Sequence, residues 1–507
     1  MQADDIYYGW RTTTMKRRDF VKSAIGAAAA AYIPSSRSSS FPDELRVLSR
    51  TGLEKVLKRG EIEELASSLR RALLVPDSPR YDETRKLWNG LWDDRRPALI
   101  AQCIDVSDIV NAVNFARTHD LMLSVRGGGH GISGQAVCDR GMMIDLSEMR
   151  GVYVDTKAGT ATVEGGTLLG DLDRESQAYG MVCPAGVVSH TGVAGLTLGG
   201  GIGILMRKYG LTIDNLLSVE IVTPDGQIRH ASAEENADLF WGVRGGGGNF
   251  GVVSMFKYRL HEFGPNILTS TSFYAPNQAK DMFDRFFEVS ENAPDDFHVW
   301  AGMTTRETGD PMTIMGFTYA GSMDKADRLT RPLRGLGKPI SEFTAPVNYV
   351  KQQSRIDAHN SHGRNYYIKG RHVNDYDPAM IDNILERWLH DPRRLNTMRL
   401  VTFGGAMADV ANDATAWPHR NAKWDLELGA SWANSDDSEE FVEWGRDYWG
   451  AIQPYTADTF YTNEIMDEKQ DEITANYKAN HKRLLEVKNA YDPKNLFRLN
   501  ANIRPEA

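Results

Sequence analysis

Cysteine is scarce in this chain, which has three cysteines among 507 residues. They stand far apart, at Cys103, Cys138 and Cys183, and this number and spacing exclude a disulfide framework and a clustered zinc site. Uninterrupted apolar stretches are also short, and none reaches the length that a membrane span requires. The sequence therefore predicts a protein without a disulfide scaffold and without a membrane span.

Basic residues are outnumbered, with 58 Lys and Arg against 68 Asp and Glu and a formal net charge of −10. No long basic run follows the N-terminal segment, so we expect no surface that binds nucleic acid. The composition is otherwise typical of a globular protein, with 41% hydrophobic and 25% charged residues. A chain of this length has room for two or more domains and a large core.

One basic cluster does occur near the N-terminus, at residues 16–22, and it includes the pair Arg17-Arg18. A small-residue apolar run over residues 24–33 follows, and then a proline and a serine-rich tract. This order predicts a twin-arginine export signal, with residues 1–42 as signal and linker. It implies the twin-arginine export machinery as a partner and a periplasmic or secreted mature protein. The alternative interpretation is a short buried helix behind a basic cap.

Glycine, by contrast, is abundant and clustered, and the first cluster lies in the stretch Leu121–Gly134. An apolar strand pattern ends there in an arginine and is followed by glycines and a histidine. Glycines directly after a strand let backbone N–H groups turn toward one point, as a pyrophosphate requires. The stretch lacks the Lys-Ser/Thr pair of a nucleoside-triphosphate loop and the G-x-G-x-x-G of a nicotinamide fold. The other interpretation is a tight glycine turn with a surface histidine.

Two further glycine clusters occupy Cys183–Gly203 and Trp241–Val253. Glycine at this density, away from hairpin turns, indicates that backbone approaches something closely. A single cluster would fit a crowded crossing of strands. Three clusters in one domain favour an extended, flat ligand that carries phosphate.

The rest of the pattern predicts an α+β protein. Strands and helices alternate over residues 95–265, and from about residue 264 amphipathic helices separate longer strand-like runs. The predicted helices are one capped by Asp105 and those over residues 278–290, 324–336 and 377–389. The predicted strands are residues 96–103, 121–125, 141–146, 151–164, 217–223, 227–230, 297–304, 312–320, 399–407 and 423–432.

Several segments together resemble the berberine-bridge-enzyme-like branch of the flavin oxidases that share the vanillyl-alcohol-oxidase FAD fold. These segments are Arg126–His130, Thr191–Gly203, Tyr209–Asn215, Phe240–Val253 and the tail Asn480–Pro505. Jointly they are far more specific than any single glycine loop. The resemblance implies a PCMH-type, two-subdomain FAD-binding domain and an antiparallel-sheet substrate domain covered by helices.

The resemblance also implies FAD as the cofactor, bonded covalently through His130 to the flavin 8α-methyl carbon. Such a bond holds the ring in place and raises its redox potential. The three glycine clusters and the tail are then expected to contact the cofactor. The cofactor-binding residues expected on this basis are Arg126, Gly127, Gly128, Gly129, His130, Gly131, Ser133, Gly134, Cys183, Ser189, Gly192, Gly195, Gly200, Gly203, Gly248, Gly251, Val253 and Asn500.

The pair Cys183-Pro184 raises the question of a second covalent link, because some members of the family join such a pair to flavin C6. The loop from Cys183 to Gly199 is longer here than in the doubly linked members. Singly linked members often carry threonine before the proline. Two interpretations stay open: a second link through Cys183, or a buried sulfur that acts as a small apolar group.

Tyr461 matches the tyrosine of the family's Tyr-x-Asn strand, and the resemblance implies that it is the catalytic base. A phenol titrates near pH 10, so a neighbouring cation or hydrogen-bond donor would have to lower its pKa. The alternative is a core tyrosine on a strand. Tyr367 and Trp424 are weaker candidates for the substrate pocket, with sheet packing as their more ordinary role, and His190 is expected to serve structure.

The resulting hypothesis is an FAD oxidase with a flavin domain at 75–265, a substrate domain at 266–454 and a returning segment at 455–507. The expected reaction takes hydride from a C–H next to a hydroxyl or amine of a small molecule, such as a sugar, an alcohol or a secondary metabolite. Dioxygen then accepts the electrons and forms hydrogen peroxide. Two alternatives stay open: a flavin dehydrogenase that passes electrons to a carrier, and a flavoprotein that sequesters a small molecule without turnover.

Overall fold

A computed structural model describes residues 41–306, 308–331, 334, 337–391 and 397–506. The predicted export signal therefore lies outside the described residues. Among the described residues, no helix combines the length and the apolar character needed to cross a membrane.

The strands are short in the first half of the chain and longer in the second. In chain order they are β1 Glu44–Leu48, β2 Glu54–Lys58, β3 Leu73–Leu74, β4 Leu99–Gln102, β5 Leu123–Arg126, β6 Met142–Asp145, β7 Val152–Asp155, β8 Thr160–Glu164, β9 Met181–Val182, β10 Leu216–Val222, β11 Ile228–Ser232, β12 Val252–Arg259, β13 His261–Glu262, β14 Asn266–Tyr274, β15 Phe297–Thr305, β16 Pro311–Tyr319, β17 Ser341–Asn348, β18 Asn365–Val373, β19 Thr397–Thr402 and β20 Trp424–Trp432.

The α-helices are distributed between these strands. In chain order they are α1 Arg59–Ser68, α2 Tyr81–Arg85, α3 Val106–Thr118, α4 Leu169–Gln177, α5 Val193–Gly199, α6 Met206–Tyr209, α7 Ala237–Val243, α8 Ala279–Glu291, α9 Met323–Thr330, α10 Tyr349–Gln353, α11 Pro378–His390, α12 Ser438–Ile452, α13 Gln470–Asn476 and α14 Asn480–Tyr491.

Besides the two-stranded pairs β1-β2 and β9-β13, two larger sheets form the first half of the described chain. The smaller has the order β3-β4-β6-β5, in which β6 runs parallel to both β4 and β5. The larger is antiparallel, with the order β11-β10-β12-β8-β7. Helix α3 begins after Asp105, whose side chain accepts a hydrogen bond from the backbone N–H of Asp108 as an N-cap. The mixed first part of the α+β prediction is therefore confirmed.

A seven-stranded antiparallel sheet forms most of the second half, with the order β17-β14-β16-β15-β19-β20-β18. Successive residues of a strand point to opposite faces, so each strand contributes to two surfaces. In β20, Trp424, Leu426 and Leu428 pack in an apolar core together with residues of α8, α11 and α12. Asp425 and Glu427 alternate with them and so lie on the other face.

Most predicted elements appear within a few residues of their expected bounds, including the hairpin β10–β11 around Pro224-Asp225-Gly226. The exceptions occur where the chain turns. Residues 151–164 form two paired strands, β7 and β8, because the chain reverses at residues 156–159. The expected strand at residues 399–407 ends at Thr402, and residues 405–407 form a 3-10 turn. Helix α9 is described only to Thr330, and four of the residues predicted to continue it are outside the described part.

The C-terminal segment is fastened by a buried ion pair. Lys488 Nζ donates to Asp492 Oδ2 at 2.7 Å and to the backbone oxygens of Asn249 and Phe497 at 2.7 and 3.0 Å. The Asp492 carboxylate in turn accepts the backbone N–H groups of Leu496 and Phe497. This network connects helix α14, the third glycine cluster and the start of the tail.

Replacing Lys488 by methionine should therefore destabilise the protein strongly. The change leaves the buried Asp492 carboxylate without its cation, and breaking a buried ion pair costs about 3–5 kcal/mol in unfolding free energy. Chemical denaturation with circular dichroism measures the loss. Lys482→Met, on the exposed face of the same helix, is the control and should change the unfolding free energy by less than about 0.5 kcal/mol. Equal effects of the two substitutions would contradict the role given to the network.

Candidate cofactor and active site

A cavity of about 200 Å³ lies where the two N-terminal sheets, the glycine clusters and the C-terminal tail meet. Its walls come from five stretches that are separated in sequence, within residues 123–146, 194–199, 247–253, 462–463 and 497–501. Six of the lining residues were predicted from the sequence to bind the cofactor: Gly127, Gly195, Gly248, Gly251, Val253 and Asn500. Backbone from all three glycine clusters thus converges on one space.

Two of the lining glycines are not required by the protein around them. A Cβ atom at Gly195 or Gly248 would meet no protein atom within 4 Å, and neither residue has a positive φ angle. By contrast, a Cβ at Gly128 would collide with Gly192, so those two glycines are needed where the loops cross. Glycine at Gly195 and Gly248 is explained by a ligand that approaches the backbone closely, which fits an extended cofactor.

Gly195→Ala should weaken cofactor binding while it raises the stability of the cofactor-free protein. Gly195 lies in helix α5, where alanine is preferred over glycine by up to about 1 kcal/mol, so the cofactor-free protein should melt at a higher temperature. The added methyl group intrudes into the cavity, so the flavin bound per chain, read from absorbance, should fall at least severalfold. Gly450→Ala, at an exposed and open position of α12, is the control: it should raise stability and leave flavin content unchanged. Unchanged flavin in Gly195→Ala would argue against a cofactor at this wall.

Other residues that were predicted to bind the cofactor make contacts with the protein itself. The Arg126 guanidinium pairs with Asp145 at 2.8 Å, and both the amide and the hydroxyl of Ser189 donate to Asp357. A Cβ at Gly203 would collide with the Ala185 carbonyl. The Arg126 side chain and both donors of Ser189 are therefore engaged within the protein, and Gly203 is required by close packing.

Other glycines of the first two clusters are required by the backbone conformation or the close packing of their loops. Gly129 and Gly134 have positive φ angles, and Gly134 lies directly against the Trp92 ring. Gly131 and Ser133 continue the same turn. Gly200, at φ 132°, stands next to the rings of Trp417 and Tyr461, which leaves no room for another side chain.

His130 lies in this loop as a neutral imidazole. Its ring stacks on Trp88 with centroids 4.2 Å apart and lies 4.9 Å from the ring of His190. Burial, together with the neighbouring His190 and His362, lowers the pKa of His130 to about 3. Its Nε2 atom has no hydrogen-bond partner among the described residues. An uncharged ring with a free nitrogen can act as a nucleophile.

Cys183 is in a different environment. It is fully buried in the apolar core between the larger N-terminal sheet and α4, and its Sγ atom contacts the backbone oxygen of Pro184 at 3.8 Å. Burial raises the pKa of the thiol well above its ordinary value. Cys183 does not line the cavity described above. The thiol therefore has the surroundings of a packing residue rather than of a reactive one.

Tyr461 is 6% exposed and its phenol oxygen accepts two hydrogen bonds, from Gly201 N–H at 3.0 Å and from Asn463 Nδ2 at 2.7 Å. The predicted strand around it is wrong: Tyr461 precedes a 3-10 turn over Thr462–Glu464, which bends the chain toward the cavity. Burial raises the pKa of Tyr461 to about 12, although both donors act to lower it. Tyr461 does not itself line the cavity, but its phenol is hydrogen-bonded to Asn463, which lines the cavity together with Thr462.

A buried group of charged side chains lies on the sheet face next to Tyr461; we call it the acidic cluster (Asp425, Glu427, Glu464 and Arg399). Arg399 Nη2 donates to Glu427 Oε2 at 2.9 Å and to Glu464 Oε1 at 3.2 Å. Both oxygens of Asp425 and one of Glu464 receive no hydrogen bond from a described donor. Burial raises the pKa of Asp425 and of Glu464, and the charge of the nearby Glu427 carboxylate raises both further.

The sequence analysis missed the acidic cluster, although the strand at residues 423–432 was predicted. Asp425 and Glu427 alternate with large apolar residues, which is a pattern that places both carboxyls on one face of a strand. The two weaker candidates have packing roles. Trp424 Nε1 donates to Ser290 Oγ in the core, and Tyr367 lies against α12 and bonds to Asp467.

Comparison with known proteins agrees with this geometry. Residues 97–232 match the family model described as FAD binding domain, and residues 461–504 match the one described as berberine and berberine like. An FAD-linked oxidoreductase of Dictyostelium discoideum is 30% identical over 449 residues, which cover 88% of this chain and 97% of that protein. The chain belongs to the berberine-bridge-enzyme-like FAD-linked oxidoreductases, and it is an FAD-dependent enzyme.

Individual relatives support the same assignment. (R)-6-hydroxynicotine oxidase of Paenarthrobacter nicotinovorans is 30% identical over 457 residues, covering 87% of this chain and 98% of that one. The crystal structure of 6-hydroxy-D-nicotine oxidase from Arthrobacter nicotinovorans superposes with a TM-score of 0.77 at 28% identity, over 87% of this chain and 99% of that one. BBE-like 1 of Physcomitrella patens shares the fold, with a TM-score of 0.80 at 22% identity over 88% and 99% of the two chains.

Proposed function

We propose that this enzyme is an oxidase that takes hydride from a C–H next to a hydroxyl or amine of a small molecule and passes the electrons to dioxygen, with hydrogen peroxide as product. The observation that carries the proposal is the position of Tyr461, whose phenol is hydrogen-bonded to Asn463 of the cavity wall and which is followed by the turn that holds Glu464 of the acidic cluster. The relatives named as hydroxynicotine oxidases support an oxidase rather than a binding protein.

In this proposal FAD, when bound, supplies the hydride acceptor and the reaction with oxygen. The glycine walls at Gly195 and Gly248 hold it through close backbone contact, and Tyr461 removes the proton from the substrate hydroxyl or amine. The N–H of Gly201 and the amide of Asn463 stabilise the negative charge that then develops on the phenol oxygen. The apolar residues around Tyr461, among them Ile202 and Phe403, keep bulk water away from the reacting atoms.

Anaerobic bleaching of the flavin tests the proposal. The purified enzyme is mixed without oxygen with a panel of sugars, alcohols, amines and phenols, and loss of the flavin absorbance identifies a reductant. Air is then admitted, and peroxide is measured against the substrate consumed. Peroxide formed in equal amount supports an oxidase, whereas bleached flavin that oxygen does not restore would identify a dehydrogenase. A panel that never bleaches the flavin, in an enzyme that dithionite does reduce, would favour the sequestering protein.

We also propose that one covalent bond, through His130, holds the FAD, and that Cys183 makes none. The unpartnered nitrogen and neutral state of His130 support the first statement, and the apolar surroundings of Cys183 support the second. Mass spectrometry of flavin-bearing peptides from the wild type and from Cys183→Ala checks it. A changed flavin spectrum, or a flavin on the Cys183 peptide, would establish the second link.

Export by the twin-arginine route is proposed from the order of the charged, apolar and polar segments at the N-terminus. This route carries folded proteins, which suits a cofactor inserted before export. Replacement of both Arg17 and Arg18 by lysine should leave the protein in the cytoplasm. N-terminal sequencing of periplasmic protein should show that about the first thirty residues have been removed; an intact N-terminus there would contradict the proposal.

A further inference from the structure

His372 is a buried histidine that the reaction described so far does not use. It lies in β18 directly opposite Asp425 of β20, so both side chains leave the same face of the sheet as the acidic cluster. His372 is 0% exposed. Its Nε2 atom is 3.9 Å from Asp425 Oδ1, and its Nδ1 atom is 3.0 Å from Thr459 Oγ1. One imidazole thus stands between a carboxyl of the acidic cluster and the hydroxyl of Thr459.

Thr459 opens onto a second cavity. This space of about 210 Å³ is also lined by His419, Asn374, Asn421 and Lys478, the last three of which are exposed. Its volume and polar lining suit ordered water. The cavity therefore connects the hydroxyl of Thr459 with the protein surface, while His372 connects the same hydroxyl with the acidic cluster.

The backbone holds His372 in this position. Its N–H donates to the Thr459 carbonyl at 2.9 Å, and its own carbonyl accepts the N–H of Ala457 at 2.9 Å. The charged and titratable groups around the ring are Asp425, His419, Arg371 and Lys478. Burial, together with the nearby cations Lys478 and Arg371, lowers the pKa of His372 to about 3, so the ring is neutral and carries one N–H.

We propose that His372 and Thr459 form a proton path between the Asp425–Glu464 carboxyl pair and the solvent-facing cavity beside His419. The proposal rests on the flavin reaction proposed above, because each removal of substrate hydride leaves one proton on Tyr461, which must pass it to Glu464, at the end of the turn that Tyr461 precedes, before the next turnover. A small rotation of the Asp425 carboxyl closes the 3.9 Å separation, as is common for catalytic hydrogen bonds that tighten when a site is loaded.

The transfer balances without any further reactant. The protonated Asp425 carboxyl gives its proton to Nε2 while Nδ1–H gives a proton to Thr459 Oγ1, and the hydroxyl passes its own proton to water in the cavity. No electron moves in these steps. The ring returns to its starting tautomer by the reverse sequence when the next proton enters, which occurs when dioxygen takes up a proton on forming peroxide.

The test follows protons and flavin separately and needs no known substrate. The holoenzyme is photoreduced without oxygen in weak buffer with phenol red and is then mixed with ferricyanide in a stopped-flow cell. Each reduced flavin gives two electrons to two ferricyanide ions and releases one proton. In the wild type, dye and flavin signals should change together. In His372→Gln and in Thr459→Val, the dye should lag at least tenfold behind the flavin.

Matched variants distinguish a proton path from a structural role. Thr459→Ser keeps the hydroxyl and should restore wild-type timing, whereas a packing role would be preserved by valine, which has the shape of threonine, and harmed by serine, which lacks its methyl group. Thr269→Val, at a buried threonine of β14 in the same sheet, is the control and should leave the timing unchanged. If His372→Gln or Thr459→Val releases protons in step with the flavin, the path is wrong.

A second arm replaces ferricyanide with dioxygen, which takes up one proton for each peroxide formed. Dye and flavin should again separate only in the two path variants. If reduced wild-type enzyme reacts with ferricyanide and not with dioxygen, the oxidase proposal fails while the ferricyanide arm still decides the proton path.

Discussion

His130→Ala should yield a protein from which acid precipitation removes all of the flavin colour, whereas the wild-type pellet stays yellow. The substitution removes the one nitrogen nucleophile of the loop that is both uncharged and unpartnered, so no bond to the flavin can form there. Noncovalent FAD should still bind, because the cavity walls at Gly195, Gly248 and Asn500 are unchanged. Its reduction potential should fall, since the tethering bond raises it.

The control is His362→Gln, at an exposed histidine whose ring centroid is 6.4 Å from that of His130. This variant should keep its colour in the acid pellet and its flavin mass on the His130 peptide. Colour that remains covalent in His130→Ala would show that another residue carries the bond, and Cys183 would then have to be reconsidered.

Tyr461→Phe should lower the rate of anaerobic flavin reduction by about 10²–10⁴-fold, the usual range for loss of a general base. The substitution removes the oxygen that accepts hydrogen bonds from Gly201 and Asn463 and keeps the ring that packs beside Trp417. Flavin content and melting temperature should therefore change little. Tyr477→Phe is a matched control, because that buried hydroxyl has no hydrogen-bond partner among the described residues. Its rate of flavin reduction should stay within about twofold of wild type, since the substitution removes no specific interaction.

The pH dependence of the same rate provides a second readout. Burial raises the pKa of Tyr461 to about 12, and the active form of a base is the deprotonated one. The wild-type rate of flavin reduction should therefore rise with pH across the neutral and alkaline range, by about tenfold per unit while the phenol is mostly protonated. Tyr461→Phe should lose this slope. A slope that survives in the variant would assign the proton transfer to another group.

The sequence predicts the cofactor site better than it predicts the substrate side. Glycine clusters are visible as composition, and they do converge on one cavity. Which glycines face that cavity is not visible, because Gly128 and Gly195 differ only in what lies beyond the backbone: another loop in one case and open space in the other. Whether a glycine faces the cavity depends on tertiary packing, which cannot be predicted from the local sequence.

The substrate side depends on the pairing of strands. The acidic cluster combines Arg399 of β19 with Glu427 of β20, and Glu464 joins it from a turn that the family pattern led us to expect as a strand. Alternation along β20 predicts a shared face for Asp425 and Glu427. It does not predict that His372 stands opposite Asp425, because the register of two strands far apart in sequence is set by the assembled sheet.

The tail that closes the cofactor cavity is synthesised after the three glycine clusters that form the other walls. Asn249 Nδ2 donates to the Ala501 carbonyl and Asn249 Oδ1 accepts the Ile503 N–H, so the third glycine cluster is completed only when this tail has been made. A nascent chain stalled before residue 497 lacks one wall of its FAD pocket. Loading with coenzyme must then be post-translational, and cells starved of riboflavin should accumulate full-length apoprotein rather than truncated holoenzyme.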